Sequence, residues 1–272
     1  MARRFHKMHG LGNDFVIFDA RDEPLEMDAA RARAIADRKA GVGCDQLILI
    51  EPSETADVRM RIFNSDGGEV EACGNASRCV SLLIGGGSIE TLGGIITGTA
   101  NGSSATVDMG EPRFGWDEIP LAYPMDTSAM PVGWEELQNP VAVNVGNPHV
   151  VFFVEDGSGI DLGRLGPLIE NDPLFPERVN VNLAEIRVGG MNVDGVRLPG
   201  IDLRVWERGV GLTQACGTGA CATAVAAMKR WNMGPAIGVS LPGGTLKIEW
   251  QPGEAIRMSG PAAHVFTGEI EL

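Results

Sequence analysis

The chain is written twice. Ala72-Cys73-Gly74-Asn75 and Ala215-Cys216-Gly217-Thr218 carry one pattern 143 residues apart: a strand, a turn, then a cysteine on a glycine at the start of a helix. Aligned on the cysteines, the preceding strands agree in residue type, pairing Phe63 with Trp206, Ile62 with Val205, Arg61 with Arg204 and Met60 with Leu203. Further upstream, Gly12-Asn13 and Val16-Ile17-Phe18 match Gly146-Asn147 and Val150-Val151-Phe152 at an offset of 134, which also sets Gln46 on Asn180 and Glu51 on Glu185. The nine extra residues of the second half fall between Glu185 and Ile201, where Gly189-Gly190, Gly195 and Pro199-Gly200 predict a longer loop. A duplication of this length constrains the architecture strongly, because two similar half-sequences predict two similar half-folds.

Each half reads as short strands around one substantial helix. In the first, strands are expected on either side of the turn at His9–Asp14, then a helix capped by Asp28, strands at 47–50 and 58–63, and a chain reversal at Asn64–Gly68. A helix from Cys73 to about Leu83 follows, stopped by Gly85-Gly86-Gly87, and then strands near 88–91, 95–99 and 104–109. The second half repeats the order, with a short helix capped by Asp161 and an Ala-rich helix from Cys216 to about Trp231. The expected class is α+β: two pseudo-symmetric halves, each a curled, mostly antiparallel sheet around a central helix, with the active site in the cleft between them. The expected domains are 1–118, completed by a closing strand at 264–272, a linker at 119–140, and 141–263.

Composition narrows the function. The net charge of −14 and the lack of a basic patch exclude a nucleic-acid partner. No run of about 18 apolar residues predicts a membrane span. No apolar leader follows the basic start Met1–His6, so a reducing cytoplasm is expected and disulfides are not the default for the five cysteines.

A cysteine at a helix N-terminus sits among unpaired backbone N–H groups, which favour its thiolate and also cradle anions. Each half thus offers a base beside an anion site: Cys73 with Gly74-Asn75, and Cys216 with Gly217-Thr218. Two thiols meeting one carbon from opposite faces suit inversion of a stereocentre, one taking the α-hydrogen and the other delivering a proton. That predicts a racemase or epimerase needing no metal and no cofactor, since the four lysines sit in no cofactor motif and the Cys and His spacings match no zinc pattern. A redox pair or two structural thiols is the competing reading of Cys73 and Cys216. Cys44, Cys79 and Cys221 read as buried, inert thiols.

Several motifs, in order and spanning nearly the whole chain, closely resemble the diaminopimelate epimerase family. They are His9-Gly10-Leu11-Gly12-Asn13-Asp14-Phe15, Gly41-Val42-Gly43-Cys44-Asp45-Gln46, Cys73-Gly74-Asn75, Gly146-Asn147-Pro148-His149, Glu207-Arg208-Gly209 and Ala215-Cys216-Gly217-Thr218-Gly219. The resemblance implies interconversion of LL- and meso-diaminopimelate without pyridoxal phosphate, for lysine and peptidoglycan synthesis. It implies Cys73 and Cys216 as the acid/base pair, with His149 and Glu207 supporting their protonation states. It implies substrate contacts from Asn13, Gln46, Asn64, Asn147 and Asn180, with Glu207 and Arg208 on the distal ammonium and carboxylate. Gly74-Asn75 and Gly217-Thr218 would cradle the reacting α-carboxylate. It also implies a homodimer, with Phe266 where an aromatic contact is expected. Two departures stand out: Ala76 replaces the family's usual Gly, and the segment after Gly85 is short.

The repeat pairs Asn13 with Asn147, Gln46 with Asn180 and Asn64 with Glu207, which fits a substrate with an amino-acid group at each end. It breaks at Arg208, which meets Ser65, as expected if one end binds a second carboxylate while the other reacts. Rival readings are a proline racemase or hydroxyproline epimerase, which typically has His where this chain has Asn75, a relative of the phenazine-pathway isomerases, which lack the cysteine pair, a thiol redox switch, and a non-catalytic amino-acid-binding protein.

Overall fold

The computed structural model describes residues 2–71 and 73–272; Met1 and Ala72, the first residue of the first cysteine motif, lie outside the described residues. The chain divides into two compact units, Met1–Asp108 with Ser259–Leu272, and Met109–Met258.

The first unit carries β1 (Ala2–Gly10), β2 (Asn13–Asp19), α1 (Ala29–Ala36), β3 (Gln46–Glu51), β4 (Val58–Asn64), β5 (Glu69–Val70), α2 (Gly74–Ile84), β6 (Gly87–Thr91), β7 (Gly94–Asn101) and β8 (Ser104–Asp108). β2 pairs antiparallel with β1 and parallel with β3; β4 pairs antiparallel with β3 and β5 and parallel with β6; β7 pairs antiparallel with β6 and β8. The closing strand Ala263–Glu271 lies antiparallel on β1. β2 and β3 are buried on both faces, which explains why Phe15–Phe18 and Leu47–Ile50 are continuous apolar runs without alternation. Phe15, Ile17, Ile48, Ile50, Met60 and Ile62 face Cys79 and Val80 of α2. Val16, Phe18, Leu47, Leu49 and Phe63 share a second cluster with Ala32, Ile35 and Cys44. Each fully buried side chain of this size stabilises the fold by about 1.5–3 kcal/mol over its exposed state.

The second unit carries β9 (Gly133–Trp134), β10 (Leu137–Gln138), β11 (Val141–Asn144), β12 (Pro148–Val154), α3 (Leu162–Glu170), β13 (Asn180–Val193), β14 (Val196–Glu207), β15 (Gly211–Thr213), α4 (Gly217–Trp231), β16 (Ala236–Leu241) and β17 (Gly244–Glu249). β11 to β17 repeat the pairings of β1 to β7 sense for sense: antiparallel, parallel, antiparallel, antiparallel, parallel, antiparallel. The result is the mixed α+β class, mostly sheet, in two repeats. α4 packs against β11, β12, β13, β14, β16 and β17. Its residues 219–228 are all buried, which its Ala-rich composition permits, since small side chains let strands approach a helix from several sides. A second core cluster gathers Phe152, Val181 and Leu183 with Leu162, Leu165 and Ile169 of α3. Ile119, Leu121, Met130 and Leu137, from the stretch read as a linker, are buried in that same cluster.

The expected long loop between Glu185 and Ile201 is instead part of one hairpin, β13 on β14. Gly189 and Gly190, at φ of 81° and 70°, form an irregularity in the ladder between Arg187 and Met191. Asp194-Gly195, at φ of 50° and 82°, makes the tight reversal that two left-handed residues allow.

Candidate active site

In both units the cysteine is the residue that caps the buried helix. Cys73 precedes α2 in extended conformation (φ −148°), and Cys216 precedes α4 likewise (φ −120°). An N-cap residue sits against first-turn N–H groups that have no intrahelical partner. The Cys216 sulfur accepts the Gly219 N–H at 3.3 Å.

Around Cys73, the Sγ lies 3.8 Å from Asn13 Oδ1, which also accepts from Asn75 Nδ2 at 3.2 Å. Asn13 is the first residue of β2, and its Nδ2 donates to Asp45 at 3.1 Å. On the far side, Asn75 Oδ1 accepts from Nη2 of the fully buried Arg78 at 2.9 Å. Both carboxamides are therefore held between a guanidinium and a carboxylate, with the Asn13 oxygen turned to the sulfur. Next to Asn13, Asp14 binds Lys7 and Arg38. Although burial pushes the Asp14 carboxyl up, those partners hold it at about 2. Gln46 and Asn64 face each other across β3 and β4, Nε2 donating to Oδ1 at 2.9 Å. Gln46 Oε1 is buried with no partner among the described residues.

Around Cys216, Thr218 Oγ1 is 3.5 Å from the sulfur and accepts from Asn147 Nδ2 at 3.4 Å. His149 Nε2 lies 2.9 Å from Asn147 Oδ1, and its Nδ1 lies 3.1 Å from Asn182 Nδ2. Burial drives the His149 imidazole down to about 3, so it is neutral. A row of hydrogen bonds thus runs from His149 through Asn147 and Thr218 to the sulfur. Burial raises the Cys216 thiol well above its ordinary range, and the Glu207 carboxylate facing it raises it further, while Thr218 and the Gly219 N–H work against both. Burial raises Glu207 as well, opposed by hydrogen bonds from Thr213 and Cys216. Cys216 rests as the thiol.

Asn180 sits beside His149 on the parallel neighbour strand. Its Nδ2 donates to Pro148 O at 2.8 Å and its Oδ1 accepts from Arg208 N at 3.0 Å. Those two bonds use one N–H and one lone pair of the amide, which has one more of each. The Arg208 guanidinium donates to Glu177 O at 2.8 Å. In the first unit Asn13, Cys73 and Asn75 form one hydrogen-bonded group and Gln46 pairs with Asn64, while Gly74 opens the helix; in the second, Asn147, His149, Cys216 and Thr218 form one row, Glu207 faces Cys216, Gly217 opens the helix and Asn180 binds the Arg208 backbone. Sequence reading missed Asp45, Arg78, Asn182 and Thr213. Asn182 had a signal, since Asn180 and Asn182 stand two apart on an apolar strand and so point to one face.

Against known proteins, the diaminopimelate epimerase family model matches residues 5–115 and 141–265. A diaminopimelate epimerase of Rhizorhabdus wittichii is 62% identical over 100% of this chain and 97% of its own length. Among solved structures, a phenazine biosynthesis protein of the PhzF family from Bacillus anthracis superposes with a TM-score of 0.66 at 17% identity, over all of both chains. A hydroxyproline epimerase from Agrobacterium vitis superposes at 0.64 with 14% identity, over 99% of this chain and 91% of that one. At such identities the two structures speak to the fold alone. The sequence matches speak to more: the chain belongs to the diaminopimelate epimerase family and is an enzyme of the isomerase class.

Proposed function

We propose that this chain interconverts LL- and meso-diaminopimelate by a two-thiol proton transfer, with Cys73 and Cys216 serving one α-carbon and no cofactor taking part. The observation that carries the reading is the pair of equivalent helix N-termini, each capped by a cysteine. As thiolate, one cysteine takes the α-hydrogen: the Cα–H bond breaks and an S–H bond forms. The other, as thiol, gives its proton to the opposite face of the carbanion. First-turn N–H groups at Gly74-Asn75 and Gly217-Thr218 stabilise the α-carboxylate, whose charge grows as the carbanion delocalises into it. In the resting protein Cys216 supplies the acid, because burial and Glu207 hold its proton. Cys73 then acts first as base, and the roles exchange in reverse.

Asn13, Gln46, Asn64, Asn147 and Asn180 hold the substrate's polar ends, and Glu207 and Arg208 recognise the distal ammonium and carboxylate. The unpartnered Gln46 Oε1 supports this reading, because a substrate ammonium would satisfy it. The product feeds lysine and peptidoglycan synthesis, and the reduced thiol pair needs the reducing cytoplasm. A homodimer through the closing strand fits the exposure of Val265 and Phe266, 55% and 47%. Light scattering of wild type and Phe266→Ala tests that point, a dimer turning to monomer in the variant being the expected result.

The test of function is NMR of the reduced protein with LL-diaminopimelate in D₂O, without added cofactor. Wild type should incorporate α-deuterium and form the meso product, and Cys73→Ala and Cys216→Ala should do neither. Folded, reduced wild type that exchanges no deuterium would refute the assignment.

A further inference from the structure

Asn182 stands on β13 between Val151 of β12 and Val205 of β14, fully buried. Its Nδ2 donates to His149 Nδ1 at 3.1 Å, while its Oδ1 is buried with no partner among the described residues. That oxygen faces Gly219, where an added Cβ would lie 3.1 Å from it. Turning the amide over would leave two buried N–H donors there instead, and orphaned buried donors are rarer than under-satisfied carbonyl oxygens. The orientation with the oxygen toward Gly219 is therefore the favoured one.

That orientation fixes the hydrogens from Asn182 to Asn147. An amide nitrogen only donates, so His149 Nδ1 must be the accepting nitrogen of a neutral ring. The ring proton then sits on Nε2 and is donated to Asn147 Oδ1 at 2.9 Å. Asn147 is left to donate through Nδ2 to Thr218 Oγ1 at 3.4 Å. The Thr218 hydroxyl, accepting there, keeps its own proton to offer to the Cys216 sulfur at 3.5 Å. Reversing Asn182 would reverse each link and make Thr218 an acceptor for the Cys216 thiol.

We propose that Asn182 is a positioning residue that sets the His149 tautomer and so polarises the row Asn182–His149–Asn147–Thr218 toward donating to the Cys216 sulfur. The row supports the thiolate that Cys216 must become in the direction where it is the base, a consequence that rests on the two-thiol reading. The other groups acting on this row are fixed: Glu207 from β14 faces the sulfur, the Gly219 N–H from α4 donates to it, and the Arg208 charge acts on His149.

The experiment uses the full chain labelled with ¹⁵N-histidine, His149 being assigned among the four histidines by loss of its signals in His149→Gln. Wild type should show the proton on Nε2. Asn182→Asp, whose carboxylate accepts, should move it to Nδ1. Asn182→Leu should leave the tautomer unset. In parallel, the pH dependence of Cys216 alkylation is followed by peptide mapping. Losing a hydrogen bond to the thiolate should slow alkylation in Asn182→Leu about tenfold at fixed pH, one pH unit in the midpoint. Turnover in the direction using Cys216 as base should lose kcat with KM little changed. Wild type with its proton on Nδ1 overturns the proposal without any variant. An unchanged midpoint in Asn182→Leu overturns it also, and if that variant does not fold, the nearly isosteric Asn182→Asp decides by its tautomer. Neither readout needs turnover, so a wild type that exchanges no deuterium would fail the functional reading alone.

Discussion

Acidification should weaken this protein through one residue more than any other histidine, and the size follows from the burial of His149. The side chain is fully buried, and burial lowers it from 6.5 to about 3. In the unfolded chain it takes up a proton near 6.5; in the fold it does not until far lower pH. The unfolded state therefore binds more protons over this window, and stability must fall as pH falls. The contribution is fully present above about 6.5 and disappears progressively toward 3. Between pH 6.5 and 4.5 the loss is two pH units at about 1.4 kcal/mol each, or about 2.7 kcal/mol. That is a large share of the roughly 5–15 kcal/mol of a typical domain. The assay is urea unfolding of wild type and His149→Gln at pH 7 and pH 4.5. Every other titrating group is common to the two proteins, so the double difference isolates His149. Wild type should lose about 2.7 kcal/mol more than the variant. Parallel losses, or a smaller loss in wild type, would mean that the folded imidazole takes up the proton, and both the neutral ring and the donor row built on it would fall.

Glu207→Gln removes the carboxylate that pushes the Cys216 thiol up, so alkylation of Cys216 at fixed pH should speed up severalfold, and slower alkylation would contradict the electrostatics. Asp14→Asn should cost about 1–2 kcal/mol at pH 7 after allowance for screening, by loss of the Lys7 and Arg38 partners. Because the folded carboxyl is held at about 2 against 3.8 unfolded, this contribution is present above 3.8 and lost as pH falls toward 2, where the unfolding curves of variant and wild type should converge. Gly219→Ala would bring a Cβ within 3.0 Å of Val205 and 3.1 Å of Asn182 Oδ1, and should cost about 1–3 kcal/mol in urea unfolding and disturb Cys216 reactivity.

The repeat was legible because strand residues packed against equivalent helices keep their type: Phe63 and Trp206 are not identical, but each follows the apolar–polar order of its strand. The helix starts were legible from Asp28 and Asp161, whose side chains accept the N–H groups of Arg31 and Arg164. What sequence reading missed has local causes. Glycines between Glu185 and Ile201 look like a loop, yet Asp194-Gly195 is a hairpin turn and Gly189-Gly190 a kink within a ladder. Ile119, Leu121, Met130 and Leu137 lie buried without a period of 2 or 3.6, so no pattern announced them. Arg78 could not be read at all as a site partner, and Asn182 only through its spacing of two from Asn180. A charged residue on a helix and an amide on a strand are ordinarily solvated, and only tertiary placement shows that Arg78 and Asn182 are fully buried and aimed at Asn75 and His149.

The duplication preserved the cysteine and helix geometry and let the surroundings diverge, and the divergence has a chemical sense. A reversible two-base inversion starts with one proton between two thiols, so identical environments would leave its location undetermined. Here Cys73 is only half buried and meets a carboxamide oxygen, while Cys216 is buried against a carboxylate. The second environment favours holding a proton, and the proposed row of donors would stabilise the charge once the proton leaves. On the proposed two-thiol mechanism, a thiol that must both keep and release a proton in a buried site would need the two opposing influences of Glu207 and the Asn182-to-Thr218 row. Exchanging the half-sites should therefore not be neutral: placing a carboxylate at position 64, the repeat partner of Glu207, should make Cys73 a second reluctant base and lower turnover in both directions.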